Sequence, residues 1–152
     1  MREVNGVFIE GTAKTPQVEF NHLTGEFVLR GRSIPENAAK VYEPLLNWTN
    51  TYIEAPQKIT NLHLNLEYFN SASFVWITMI VKALSKITRK DAVLYIHLYF
   101  DIEDFEDNIT DQVRDLISVL ADKISDSKIS IGIKTHGVDS DGKVVKESTI
   151  LI

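Results

Sequence analysis

Apolar and polar residues alternate along several short stretches of this chain, and each such stretch is predicted to form a β-strand. The clearest is Leu62-His63-Leu64-Asn65-Leu66, which has the period of two expected of a strand with one buried face. The same pattern predicts strands near residues 17–21, 26–31, 59–67, 92–100 and 128–134. A tight-turn signal at Asp141-Gly142 predicts that the chain then returns along residues 144–152 as an antiparallel edge strand.

Three other stretches have the denser apolar spacing that is typical of helices, and they lie near residues 35–53, 72–88 and 104–124. Before the first of them, Ser33 and Glu36 have the spacing of a capping box, which predicts Ser33 as the N-cap. Before the second, Asn70-Ser71-Ala72-Ser73 provides short polar side chains that can accept hydrogen bonds from the first backbone N–H groups.

The two faces of the predicted strands differ in polarity. One face is rich in Leu and Ile, whereas the other carries mixed residues such as His63, Tyr95 and Lys134. A parallel sheet covered on both faces would show nearly continuous apolar runs, so we expect the helices mainly on one face. The alternation of strands and helices predicts the α/β class, with a single mixed β-sheet. The length of 152 residues predicts one domain that spans residues 1–152.

Composition narrows the classes of partner. The net charge of −5 argues against a broad surface for nucleic acid or for an acidic membrane. Cysteine is absent, which excludes disulfides and thiolate metal sites and suits a reducing compartment. The longest apolar run, residues 74–81, is much shorter than the roughly 20 residues of a membrane span. A cytoplasmic protein is therefore expected.

Catalytic and metal-binding motifs give little support to an enzyme. No Gly-x-Ser-x-Gly, phosphate-binding Gly loop or His-Glu-x-x-His motif is present, so no cofactor or tightly bound metal is predicted. His63 and His97 nevertheless fall where adjacent strands would make them neighbours, with Tyr99 on the same face. An alternative function, a small-molecule-binding or enzymatic α/β domain that uses this face, therefore stays open.

Two stretches of the chain resemble the SiaC-like regulatory phosphoproteins, a bacterial family. The first combines Thr12-Ala13-Lys14-Thr15-Pro16, Gly25-Glu26-Phe27 and Gly31-Arg32-Ser33-Ile34-Pro35-Glu36-Asn37-Ala38, and the second is Tyr68-Phe69-Asn70-Ser71-Ala72-Ser73. The resemblance covers roughly residues 9–133 and leaves residues 134–152 as a C-terminal hairpin extension. It implies a STAS-like fold, the fold of the antagonists of anti-sigma factors, with helices mainly on one face of the sheet.

The resemblance also implies a non-enzymatic role in cyclic-di-GMP signalling. In this family a kinase phosphorylates a hydroxyl of an Asn-Thr-Ser-Ser motif, and a PP2C-type serine/threonine phosphatase removes the phosphate. The unmodified form binds and activates a diguanylate cyclase. By position, the phosphorylated residue here is Ser71. The resemblance further implies motif or partner-surface roles for Arg32, Pro35, Glu36, Asn37, Tyr68, Asn70 and Ser73.

This chain departs from the family pattern next to the predicted phosphorylation site. Ala72 stands where the family has a second Ser, which removes one alternative acceptor. Phe74, Val75 and Trp76 follow where a basic residue is common, so the partner surface is expected to differ. A plainer interpretation is also open, in which the protein is a constitutive interaction module and Ser71 only caps a helix.

Overall fold

A computed structural model describes residues 5–103, 118 and 128–151. Its strands are β1 (Val7–Ile9), β2 (Gln17–Asn21), β3 (Glu26–Ser33), β4 (Ile59–Phe69), β5 (Val93–Asp101), β6 (Ser130–Val138) and β7 (Val144–Leu151). Its helices are α1 (Ala38–Tyr52), between β3 and β4, and α2 (Ser71–Leu84), between β4 and β5. The third predicted helix, near residues 104–124, lies outside the described residues except for Ser118.

All seven strands form one sheet, and their order in the sheet is their order in the chain. β3, β4, β5 and β6 are parallel to one another, whereas β1, β2 and β7 pair antiparallel with their neighbours. The predicted mixed sheet is therefore confirmed, and so is the hairpin in which β7 returns along β6. β6 continues to Val138, four residues beyond the predicted end at residue 134.

Among the described residues, the core lies between α1, α2 and one face of this sheet. Leu62 in β4 pairs with Phe27 in β3 and Ile96 in β5, and all three side chains are fully buried. They belong to one cluster with buried residues of α1 and α2 such as Tyr42 and Ile80. The apolar half of the strand alternation therefore packs against the helices, and the polar half forms the opposite face of the sheet.

The start of α1 corrects one prediction. Ser33 is the last residue of β3 and is buried, where it pairs with Phe69 of β4. The N-cap is Asn37, whose side chain accepts a hydrogen bond from the backbone N–H of Lys40 at 3.3 Å. The capping-box prediction was wrong because pairing with β4 extends β3 to a residue whose spacing matched a cap.

The end of α2 also differs from the prediction, whereas α1 ends at Tyr52, beside the predicted residue 53. α2 ends at Leu84 rather than near residue 88, and Ser85 follows as its C-cap. Neither α1 nor α2, the helices in the described part of the chain, is long and apolar enough to cross a membrane.

Candidate functional site

The two stretches that carry the family resemblance meet at the N-terminus of α2. The backbone N–H of Asn70 donates a hydrogen bond to the carbonyl oxygen of Ser33 at 3.0 Å. The side-chain amide of Asn70 donates to the carbonyl oxygen of Pro35 at 3.4 Å. The segment that leaves β3 therefore fixes the turn from β4 into α2, which explains why motif residues far apart in sequence form one site.

Three buried hydroxyl groups lie beneath this turn. The Ser73 hydroxyl donates to the Ser33 carbonyl oxygen at 3.0 Å, and the Ser33 hydroxyl donates to the Ser73 oxygen at 2.8 Å. Because the Ser33 proton is already used in the bond to Ser73, the Tyr42 hydroxyl is the donor in the remaining hydrogen bond, to the Ser33 hydroxyl oxygen. Burial raises the pKa of Tyr42 despite these hydrogen bonds to Ser33 and Ser73, so Tyr42 stays a donor at neutral pH.

Ser71 is the exposed hydroxyl of this site. Asn70 has an extended backbone and accepts a hydrogen bond from the Ser73 N–H at 2.9 Å, which makes Asn70 the N-cap and Ser71 the first helical residue. Within the described residues, the Ser71 hydroxyl makes no hydrogen bond. The interpretation of Ser71 as the helix cap was therefore wrong. Ser73, two residues later, is buried and belongs to the hydrogen-bond network beneath the turn.

Apolar side chains continue from Ser71 along the outside of the molecule. Val75 and Met79 follow at successive spacings of four residues, so they share one face of α2 with Ser71. Val75 is 55% exposed and Met79 is 37% exposed. We name these two residues, together with the exposed Ile34, Tyr68 and Phe69 at the start of the helix, the α2 surface. Two exposed apolar side chains on one helix face, with three more on the segments that lead into the helix, fit an interaction site.

The remaining motif residues divide into surface and supporting positions. The Arg32 guanidinium lies 5.5 Å from the centre of the Tyr68 ring, and its Nε is 3.6 Å from a Glu67 carboxylate oxygen. Glu36 is exposed and pairs with Lys14 at 3.3 Å, a contact that adds little stability at the surface. Pro35 is buried, and Asn37 caps α1, so both of these residues support the local fold.

The opposite face of the sheet does bring together the residues of the alternative function. The rings of His63 and His97 stack with their centres 4.2 Å apart, and His63 Nδ1 lies 2.8 Å from the Tyr99 hydroxyl. His136, at the end of β6, also joins them and lies 2.9 Å from His97. The sequence did not place His136 here because β6 was predicted to end at residue 134.

A metal role for these histidines is not supported by their geometry. In the part of the chain that the structure describes, no group of three or more His, Cys, Asp or Glu residues can hold a metal ion. We still predict that the purified protein carries no stoichiometric transition metal. Elemental analysis checks it, and finding one equivalent of such a metal would restore the alternative function.

Sequence reasoning also missed Tyr42 as a member of the site. Its position on the apolar stripe of α1 predicted only a core residue, and no local signal shows that its hydroxyl reaches Ser33. The sequence gives only an indirect indication that Tyr42 is part of a polar network, namely that the hydroxyl of a buried Tyr usually has a hydrogen-bond partner.

Replacing Tyr42 by Phe is expected to loosen the first turn of α2 while the core packing is kept. The variant loses one buried hydrogen bond, which costs about 0.5–1.5 kcal/mol. Tyr52→Phe is the control, since the Tyr52 hydroxyl is also buried but hydrogen-bonds away from α2, to the Thr60 hydroxyl at 2.8 Å and from the Gln57 N–H at 3.1 Å. Amide exchange at residues 73–74 is expected to accelerate in Tyr42→Phe only. Equal acceleration in both variants would contradict a local role for Tyr42.

An exposed serine at the start of a helix, beside exposed apolar side chains and above a buried hydrogen-bond network, fits a binding domain that is regulated at this serine. The comparison with protein families gives the same class. A model of the SiaC family of regulatory phosphoproteins matches residues 9–130. The chain belongs to the SiaC family of regulatory phosphoproteins.

Solved structures show the same fold at low sequence identity. Apo-SiaC from Pseudomonas aeruginosa superimposes with a TM-score of 0.62 at 20% identity, covering 85% of this chain and 98% of that one. SiaC in a crystal structure of the diguanylate cyclase SiaD in complex with its activator SiaC, also from P. aeruginosa, gives 0.64 at 21% identity, covering 86% and 99%. An uncharacterized protein of P. aeruginosa (strain UCBPP-PA14) is 22% identical over 98 residues, or 64% of this chain and 78% of that protein.

Proposed function

We propose that this chain is a non-enzymatic signalling protein whose unmodified form binds and regulates a diguanylate cyclase, and that phosphorylation of Ser71 switches this binding off. A cognate kinase adds the phosphate and a PP2C-type phosphatase removes it. The whole chain acts as one cytoplasmic domain, with residues 134–152 as an extension of the family core. The class of partner is supported by the complex between SiaC and a diguanylate cyclase in P. aeruginosa.

One observation carries this proposal, namely the contrast between two serines two residues apart. Ser71 is exposed on the same side of α2 as Val75 and Met79, whereas Ser73 is buried and hydrogen-bonded to Ser33. A kinase can therefore reach the Ser71 hydroxyl without unfolding α2. The Ser73 hydroxyl would have to leave its network and expose the turn first.

The position of Ser71 explains how a phosphate would change binding without changing the fold. A phosphoserine adds about −1.5 to −2 charges at pH 7. At the first residue of a helix this charge meets the positive end of the helix dipole, so α2 tolerates it. The same charge would lie at the edge of the α2 surface, and a partner that covers Val75 and Met79 would have to desolvate it.

The proposal is tested by mapping the modification and by measuring its effect on binding. Phosphopeptide mass spectrometry on protein from its native cells is expected to find phosphate on Ser71 and none on Ser73. The phosphorylated and unmodified proteins are then compared for binding to diguanylate cyclases of the same organism and for stimulation of cyclic-di-GMP synthesis. Equal binding and equal stimulation by both forms would contradict the switch.

A further inference from the structure

A continuous row of side chains crosses four neighbouring strands on the face of the sheet away from the helices. It consists of Asn61 in β4, His97 in β5, His136 in β6 and Glu147 in β7, and we name it the histidine row. The His97 Nε2 lies 2.7 Å from Asn61 Oδ1, and the His97 Nδ1 lies 2.9 Å from His136 Nε2. The His136 Nδ1 lies 3.2 Å from Glu147 Oε1. Each contact has hydrogen-bonding length, so the row joins the edge strand β7 to the middle of the sheet.

Other rings and charges surround this row and limit how much positive charge it can hold. The His63 ring stacks on His97, and the Tyr99 ring stacks on His136 with centres 4.6 Å apart. The titratable and charged groups around the two row histidines are His63 from β4, Tyr95 and Tyr99 from β5, Lys134 from β6 and Glu147 from β7, and Glu26 and Arg30 from β3 act on Tyr99 beside them.

The two carboxylates in this group have different histidine partners. Burial, followed by the charge of Glu26, raises the pKa of Tyr99, so the Tyr99 hydroxyl donates to His63 Nδ1. The His63 Nε2–H then donates to Glu26 at 2.9 Å. Glu147 is thus the carboxylate that remains to balance charge within the histidine row.

Counting protons shows what the row can accept. With both rings neutral, His97 donates to His136 and His136 donates to Glu147, and the Asn61 side chain must turn over so that its Nδ2, in place of the Oδ1 seen at 2.7 Å, donates to His97 Nε2. With one added proton, the Asn61 carbonyl oxygen accepts from His97 instead, and every contact is still satisfied. A second added proton places N–H groups on both His97 Nδ1 and His136 Nε2, which face each other at 2.9 Å. That contact must then break.

We propose that the histidine row is a one-proton latch that holds β7 on the sheet and loosens it when a second proton enters. The first proton keeps every hydrogen bond, and Glu147, which accepts from His136, balances its charge. The second leaves two imidazolium rings stacked with their centres 5.1 Å apart, beside Lys134. His136 and β7 lie beyond residues 9–130, the range that the family model matches, so the latch goes beyond what the family match implies.

The pKa values of both histidines agree in direction with such a latch. Burial, and then the charges of His63, His136 and Lys134, lower the pKa of His97 to about 3. Burial also lowers the pKa of His136, although the Glu147 carboxylate opposes this. A histidine whose pKa is lower in the folded protein than its unfolded value of 6.5 contributes its full stabilisation of the fold at pH values above 6.5. For His97 this stabilisation is lost as the pH falls from 6.5 toward about 3. Acid is therefore expected to loosen β7.

Hydrogen exchange on the full chain tests the latch at the strand it holds. When the pH is lowered from about 7 to about 4.5, amide exchange across residues 144–151 is expected to accelerate at least about tenfold after correction for its intrinsic pH dependence. A tenfold change corresponds to a shift of one unit in the pKa of one group. His97→Gln keeps a donor and an acceptor but cannot take up a proton, so it is expected to remove this acceleration. His22→Gln is the matched control, because His22 lies outside the histidine row, and it is expected to behave as wild type.

Imidazole NMR of the wild-type protein gives a second measurement that needs no variant. We expect that His97 and His136 are never both doubly protonated above about pH 5, since their facing nitrogens share one proton. Independent titration of both rings near their ordinary pKa of 6.5 would overturn the latch. So would an unchanged pH response of β7 in a folded His97→Gln protein.

Discussion

Ser71→Asp is expected to weaken binding to a diguanylate cyclase at least about tenfold and to leave the fold unchanged. Burying an unpaired carboxylate in an interface costs several kcal/mol, and each 1.4 kcal/mol is a factor of ten in affinity. The fold is expected to survive because an acidic residue at the first helical position interacts favourably with the helix dipole. Isothermal titration calorimetry with circular dichroism on the same samples measures both quantities.

Two further variants separate the switch from a structural role. Ser71→Ala is expected to bind like the unmodified protein and to stay bound when the kinase is present. Ser73→Ala is the matched control, because it removes a hydroxyl that donates to the Ser33 carbonyl and accepts from the Ser33 hydroxyl. It is expected to lower stability by about 0.5–1.5 kcal/mol while the response to the kinase is kept. A Ser71→Ala protein that the kinase still releases would exclude Ser71 from the mechanism.

The alternating patterns predicted most of the sheet because burial on one face leaves a strong signal in sequence. Leu62, Leu64 and Leu66 showed both that β4 is a strand and which side of it faces the helices. The pairing of β3 with β4 left no such signal. It extends β3 to Ser33, and spacing alone could not distinguish a buried strand end from a helix cap.

The site was predictable where a motif lies within one segment and was missed where the fold joins distant segments. The resemblance pointed to Ser71 and Asn70, and the structure adds which of them is exposed and which is the cap. Tyr42 and His136 contribute through contacts with residues 9 and 39 positions away, respectively. His136 was within reach, since continuing β6 up to the turn at Asp141-Gly142 places it beside Tyr99.

Gly25→Ala is expected to cause a larger loss of stability than either Ser73→Ala or Tyr42→Phe. Gly25 has φ = +75°, and a Cβ there would lie 2.4 Å from the carbonyl oxygen of Ile59. A left-handed conformation costs an ordinary residue roughly 1–2 kcal/mol, and overpacking against backbone costs roughly 1–3 kcal/mol more. The carbonyl at Ile59 cannot move aside easily, because the neighbouring Asn61 N–H bonds to the Gly25 carbonyl at 2.9 Å and fixes the start of β4 against this turn.

Gly142→Ala is the control that separates the two contributions. Gly142 has φ = +81°, but a Cβ there would meet no atom within 4 Å, so only the conformational cost applies. Urea unfolding is expected to show a loss of roughly 1–2 kcal/mol for Gly142→Ala and about twice that or more for Gly25→Ala. Since the free energy of unfolding of a whole domain is only about 5–15 kcal/mol, Gly25→Ala is expected to be partly unfolded at moderate urea concentrations. Equal losses would mean that the turn relaxes away from Ile59, and that the close packing of the β2–β3 turn against β4 contributes nothing to the fold.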